Sequence, residues 1–131
     1  GGWLACDMRR YLNEEVIALL PDALIAAIKP RKFGEEEDKL WLFSEMEVFG
    51  EHDWTENDPD RGEQMAYYKR CGNRIKALGD EGEAAYSWWE RSPYGGSSNI
   101  FCSVGSYGNA SNFNAYYAAS ASSGVAFGFC V

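Results

Sequence analysis

"AYSWWERSPYGGSSNIFCSV", residues 85–104, decides how this chain is read. Its first part, "AYSWWERSP", is aromatic and reads as a strand stopped by Pro93, which cannot donate to a sheet ladder. Side chains alternate between the two faces of a strand, so Trp88 and Trp89 are expected on opposite faces. One is predicted in the core and the other partly shielded at a sheet junction. "IFCSV" (100–104) alternates again and predicts a second strand. "GVAFGFCV" (124–131) gives a third, with Val125, Phe127, Phe129 and Val131 on its packed face.

The same stretch contains the last charge in the chain. Every Asp, Glu, Lys and Arg lies at or before Arg91, and from residue 92 onward there is also no Gln, Met or Trp. Arg91 is predicted to hold backbone carbonyls or a carboxylate, because a buried Arg needs partners. The first part reads as an ordinary folded scaffold and the second as a sequence drawn from a restricted alphabet.

Upstream, "CDMRRYLNEEVIALLP" places Met8, Leu12, Val16 and Leu19 on one helical face, with Asp7 as N-cap. "PDALIAAIKP" predicts a second short helix entered at Pro21. "DKLWLF" (38–43) has the length of a strand. Ser44 and Glu47 in "SEMEVFG" form a capping-box pattern, and Gly50 suits the end of that helix. A third helix is predicted across "GEQMAYYKRCGNRIKAL". With 131 residues, 46% of them apolar, the chain is long enough for one domain with its own core.

The net charge of −8 argues against nucleic acid, whose phosphates need a basic face. No apolar run is long enough for membrane insertion. Cys6, Cys71, Cys102 and Cys130 form no close pair, and His52 is the only histidine, so zinc ligation is not expected. Cys102 and Cys130 sit in similar contexts; a disulfide and two small buried thiols both remain open. The loop "EHDWTENDPDRGE" (51–63) concentrates acids, but its spacing fails the EF-hand pattern, and a solvated acidic loop is the simpler reading. No metal and no cofactor are predicted.

The segment "GSYGNASNFNAYYAASASS" (105–123) mixes small polar residues with tyrosines and a phenylalanine. Tyr offers contact area with few rotors to freeze, and Ser, Gly and Asn offer adaptable hydrogen bonds, the mixture used by antibody binding loops. A flexible linker would gain nothing from Tyr107, Phe113, Tyr116 and Tyr117. A binding surface is the better reading.

"WWERSPY", "NIFCSV", "GNA" and "GVAFGFC", together with "MRRYLNEEV", "LPDAL", "IKP" and "DKLWLFSEMEVFG", resemble a bacterial and phage domain family marked by W-W-x-R-S-P and a closing G-V-A-x-G-F. Several of its members are variable proteins of diversity-generating retroelements. The resemblance implies an α+β, C-type-lectin-like fold over residues 1–131, with helices on a small, mainly antiparallel sheet. Residues 1–91 would be the scaffold and 92–131 the variable ligand-binding part. It also implies a further strand before the first helix, so the sequence given is expected to begin inside the domain or to lack that first strand.

In such systems adenines of AAY codons are randomised, which yields Asn, Ser, Gly, Tyr, Phe, Ala and Ile but never Lys, Glu, Gln, Met or Trp. By this resemblance the variable positions are Asn99, Ser103, Gly105, Ser106, Tyr107, Asn109, Ser111, Asn112, Phe113, Asn114, Tyr116, Tyr117 and Ser120. The fixed framework would comprise Trp88, Trp89, Arg91, Pro93, Phe101, Cys102, Val104, Gly108, Ala110, Val125, Phe127 and Phe129. The expected function is non-enzymatic display of a ligand-binding face at a phage tail or bacterial cell surface. The expected partner is a protein or glycan on a host or target cell, bound as part of a larger virion or surface protein. A calcium-dependent carbohydrate-binding lectin is the alternative, but the E-P-N, Q-P-D and W-N-D triplets of that class are absent. Formylglycine-generating enzymes share the broad fold, yet the cysteines here fall at strand-like positions and no nucleophile–base pair is recognisable.

Overall fold

A computed structural model describes residues 2–51, 55, 61–77, 79, 84–95, 100–110, 116–117 and 123–131. It is an α+β arrangement of short helices and small antiparallel sheets. Helix α1 (Asp7–Tyr11) continues through a π turn (Leu12–Val16) into a 3-10 turn (Ile17–Leu19), and α2 (Asp22–Ala27) follows. Strands β1 (Arg31–Phe33) and β2 (Glu36–Asp38) pair with each other. Then come β3 (Trp41–Leu42), α3 (Glu45–Phe49), 3-10 turns at Ala66–Lys69 and Cys71–Arg74, β4 (Lys76–Ala77) and β5 (Ala85–Tyr86). The later strands are β6 (Trp88–Pro93), β7 (Ile100–Val104), β8 (Tyr116–Tyr117) and β9 (Phe127–Gly128). The largest described sheet has the order β6-β7-β8; β3 pairs with β9, and β4 with β5.

Strand β6 separates two hydrophobic clusters. Trp89 joins Trp3, Leu12, Ile28, Phe33, Leu40, Trp41 and Leu42, whereas Trp88 joins Val48, Tyr68 and Val104. Both tryptophans are buried, so the expectation of a merely shielded partner is corrected: each strand face meets a core of its own.

The helical stripe holds for Leu12, Met8 and Val16, but Leu19 is 82% exposed. The π turn adds residues to one helical turn and the 3-10 turn then tightens the next, which rotates Leu19 away and brings Leu20 to the core. Asn13 braces this distortion. Its Nδ2 donates to the Arg9 carbonyl at 3.0 Å and the Leu40 carbonyl at 2.8 Å, and its Oδ1 accepts from the Lys39 and Leu40 amides. Asp7 is the first helical residue and does not cap; Cys6 holds the N-cap position, and Asp7 pairs with Arg10. Pro21 is likewise the residue before α2, not its first.

The third predicted helix is replaced by the two 3-10 turns. Met65 and Arg70 are extended, and side chains take the carbonyls an α-helix would use. Asn73 Nδ2 donates to the Tyr67 carbonyl and Arg74 Nε to that of Tyr68. The predicted closing strand is also shorter. Gly124 bridges Trp88, β9 pairs with β3, and Cys130 bridges Lys29, so one run meets three partners in turn. Its expected packed face therefore breaks up: Phe127 packs on the first cluster, while Val125, Phe129 and Val131 are exposed. Gly128 is required where β9 crosses β3, because a Cβ there would lie 2.6 Å from the Phe43 ring.

All four cysteines are free. Cys102 is buried as expected of a core thiol, but Cys130 is exposed, its backbone paired with Lys29.

Candidate functional site

Two regions concentrate polar chemistry, one buried and one exposed. The buried region begins at an irregularity in β6. The ladder to β7 pairs Trp89 with Ser103 and then Pro93 with Phe101, so extra residues bulge out of β6 between them. There the Arg91 amide donates to the Phe43 carbonyl, which turns the strand toward α3. The Arg91 guanidinium donates to the Leu42 carbonyl at 2.8 Å and forks onto Glu47 at 2.6 and 3.1 Å. This is the carbonyl-and-carboxylate role the sequence suggested for Arg91.

Glu47 is more than a counter-ion. It completes the predicted capping box, accepting from the Ser44 amide while Ser44 Oγ accepts from the Glu47 amide. It also pairs with Arg31. The box is closed from outside by Ser44 Oγ donating to the Arg61 carbonyl and by Gly62, where a Cβ would meet Glu47 at 2.6 Å. Nearby, Ser92 Oγ accepts from the Glu45 amide, and Thr55 donates to the Glu45 carboxylate. Glu90 is wholly buried beside this group, and burial, then the Glu45 carboxylate, push its carboxyl well above the usual range, against the pull of Arg91. Arg91 and Arg31 share the Glu47 carboxylate and tie β6 to α3 and β1. The arrangement is a structural lock, beside a small cavity lined by Leu42, Trp89, Glu90, Arg91 and Phe101.

The exposed region is assembled around the turn after β7. Gly105 donates to Asn109 and Gly108 to Gly105, closing a tight loop with Tyr107 at its tip. Gly108 has φ +75°, and a Cβ there would meet the Cys71 carbonyl at 2.9 Å, so glycine is dictated twice. The Cys71 thiol lies 3.6 Å from the Tyr107 carbonyl and 3.8 Å from that of Gly108. The tail turn thus rests on the Cys71–Arg74 3-10 turn of the scaffold, with Ile75 beneath it. Tyr107 is 82% exposed and Tyr67 58%, with Ile75 and Tyr86 also on the surface. The Lys76 ammonium sits 5.0 Å over Tyr67 and 5.6 Å over Tyr68. Burial pushes the Tyr68 hydroxyl up to about 12, with Tyr67 and then Glu47 adding to it.

The resemblance-derived variable positions fall unequally. Tyr107 and Asn109 are exposed on the turn and Ser106 is half-buried. Ser103 and Gly105 are buried, which corrects their placement in a contact surface: one pairs with Trp89 in the ladder and the other anchors the turn. Asn99, Ser111, Asn112, Phe113, Asn114 and Ser120 lie outside the described residues. Tyr116 and Tyr117 are described as β8 backbone, paired with Phe101 and Ile100. Of the framework, Trp88, Trp89, Arg91, Cys102, Val104 and Gly108 are buried; Pro93, Phe101 and Phe127 are half-buried; Ala110, Val125 and Phe129 are exposed. Tyr67, Ile75, Lys76 and Tyr86 were missed, although a signal existed: Lys69, Arg70, Arg74 and Lys76 crowd a stretch from 64 to 77 that has no acid.

Most of the acidic loop lies outside the described residues; Thr55 within it is buried, and Glu51 and Glu63 are exposed. Among the described residues, no group of three or more His, Cys, Asp or Glu is placed to hold a metal ion. Nor is any described helix long and apolar enough to cross a membrane.

A small α+β domain with an internally paired charge lock and a tyrosine-bearing turn is the class these features define. The chain belongs to the DUF6273 family, a domain of unknown function, whose profile matches residues 1–127. No curated protein and no solved structure matches it significantly.

Proposed function

We propose that this is a non-enzymatic ligand-binding domain of C-type-lectin-like fold, displayed on a phage tail or bacterial cell surface. Its uncharged tail is the retroelement-diversified face, and it takes a protein or glycan on a host or target cell. The observation that carries the reading is the Tyr107 turn. A tyrosine at 82% exposure stands on a loop anchored by glycines and by Cys71, with Asn109 exposed beside it. Such a loop can change its side chains without loss of the core, because its support comes from backbone contacts. The composition of the tail adds to this, being rich in the residue types that binding loops favour. With Ser103 and Gly105 buried, the proposed contact set consists of Tyr107, Asn109 and the tail residues that follow.

An array of host-surface proteins and glycans, probed with the purified chain, tests the proposal. Replacement of Phe113, Tyr116 and Tyr117 together by Ala is expected to abolish binding to the ligand found while leaving the melting temperature nearly unchanged. Unfolding of that variant would place the three aromatics in the core and end the binding-surface reading of the tail.

A further inference from the structure

The scaffold segment beneath the Tyr107 turn has a charge that the rest of the chain does not share. The chain carries a net −8 with twenty acids, yet residues 64–77 contain Lys69, Arg70, Arg74 and Lys76 and no acid. Elsewhere Arg9, Arg10, Arg31 and Arg91 are each paired with a carboxylate. Among the described residues, none of the segment's cations forms an ion pair. Arg74 has a structural task, its Nε on the Tyr68 carbonyl and its guanidinium over Phe49. Lys69 and Arg70 are exposed, and Lys76 rests on tyrosine rings.

This basic segment carries the tail turn through Cys71 and Ile75. Cys71 touches the Tyr107 and Gly108 carbonyls, Ile75 packs under Gly108, and Lys76 pairs across the β4–β5 ladder with Tyr86. Exposed tyrosines and arginines are the residue types that carry affinity across protein–protein interfaces. Surface cations that have no ion-pair partner among the described residues set the sign of the partner and steer its approach.

We propose that the surface formed by Tyr107, Tyr67, Tyr86, Lys69, Arg70 and Lys76 docks an acidic polypeptide segment. The scaffold supplies a fixed electrostatic half and the tail a changeable half of one site. This rests on the reading of the tail as a binding face, but its decisive residues lie outside the tail.

The test uses the full chain and two fluorescent probes, a short peptide alternating Glu and Tyr and an oligogalacturonate of matched charge. Anisotropy titrations are expected to show peptide binding that weakens with added salt. The double variant Lys69→Glu/Arg70→Glu should bind the peptide about tenfold or more weakly with an unchanged melting temperature, since both residues are exposed. Tyr86→Ala should weaken it as well, which bare charge attraction would not. No peptide binding, unchanged binding by the double variant, or preference for the oligogalacturonate would each overturn the proposal. If the tail triple variant loses its array ligand while the double variant keeps peptide affinity, the acidic-partner proposal falls and the tail reading stands. If the double variant loses the peptide while the triple variant keeps its array ligand, the tail reading falls instead.

Discussion

Arg91 and Lys76 both lie against aromatic rings, Arg91 at 5.0 Å from the Phe33 centroid and Lys76 at 5.0 Å from that of Tyr67. Their surroundings differ in every other respect. Arg91 is buried, forked onto Glu47 and bonded to the Leu42 carbonyl, so each of those interactions is strengthened by the absence of water. Lys76 is half-buried, and no described carboxylate neutralises it. A buried charge must be matched within the chain, whereas a surface charge costs little to leave for something else. The contrast separates what holds this molecule together from what it offers outside.

The contrast is broken most severely at Arg91. Arg91→Ala would leave Glu47 with Arg31 alone as a cationic partner and would strip Leu42 of its donor. Loss of one member of a buried pair costs about 3–5 kcal/mol, and urea unfolding of Arg91→Ala is expected to show a loss of that order. Arg91→Lys should recover only part of it, because an ammonium cannot make the two-pronged contact. A loss under about 1 kcal/mol would mean that the lock is dispensable and that the two regions do not differ as described.

How much of this was legible in the sequence depends on the range of the forces involved. The Ser44–Glu47 capping box and the Gly50 helix end are set by a handful of adjacent residues, and the structure shows both, with Gly50 at φ 75°. The strand read over residues 100–104 is present as β7, while the one read over 85–93 is divided, 85–86 pairing with β4 and 88–93 forming β6. The helix predicted through Tyr67–Arg74 failed because side chains of Asn73 and Arg74 intercept main-chain carbonyls, a competition that residue spacing does not reveal. The closing strand was misread because its residues meet β6, β3 and Lys29 in succession, and partners so distant in sequence leave no local mark. Of the site, Tyr107 could be read from composition. The acid-free basic stretch 64–77 marks Lys76 in the sequence, but its place under the turn does not show there, since only the fold brings residue 71 against residue 107.

Glu90 sharpens the comparison from the buried side. Burial chiefly, and next the charge of Glu45, push its carboxyl well above the usual carboxylate range. In the unfolded chain it releases its proton near its ordinary 4.5, while the folded chain retains it to a higher pH. The folded state therefore binds the extra proton in that window, and stability falls as pH rises through it. Other carboxylates have slopes of their own, so the informative quantity is the difference between the parent chain and Glu90→Gln. As pH rises above the ordinary carboxyl range the parent should lose stability relative to the variant, with a slope of at most about 1.4 kcal/mol per pH unit. Parallel curves from urea midpoints would show that Glu90 ionises in the folded state and that the buried charges are not fully matched.

The smallest effect is expected at Tyr107, and its smallness is the point. The turn is fixed by Gly105, Gly108 and the Cys71 contacts, all of which engage backbone atoms of residues 105–109. At 82% exposure the Tyr107 ring contributes little burial for its removal to forfeit. Tyr107→Ala should therefore change stability by no more than about 0.5 kcal/mol in either direction, the range of ordinary surface substitutions. Gly108→Ala is the matched control one position away. Its Cβ would meet the Cys71 carbonyl at 2.9 Å in a left-handed backbone conformation, so the cost should be about 1 kcal/mol or more. A side chain that can be deleted freely beside a backbone position that cannot is what a variable surface on a fixed support requires. Equal losses at the two positions, measured by thermal melting, would make Tyr107 part of the framework and remove it from the binding face.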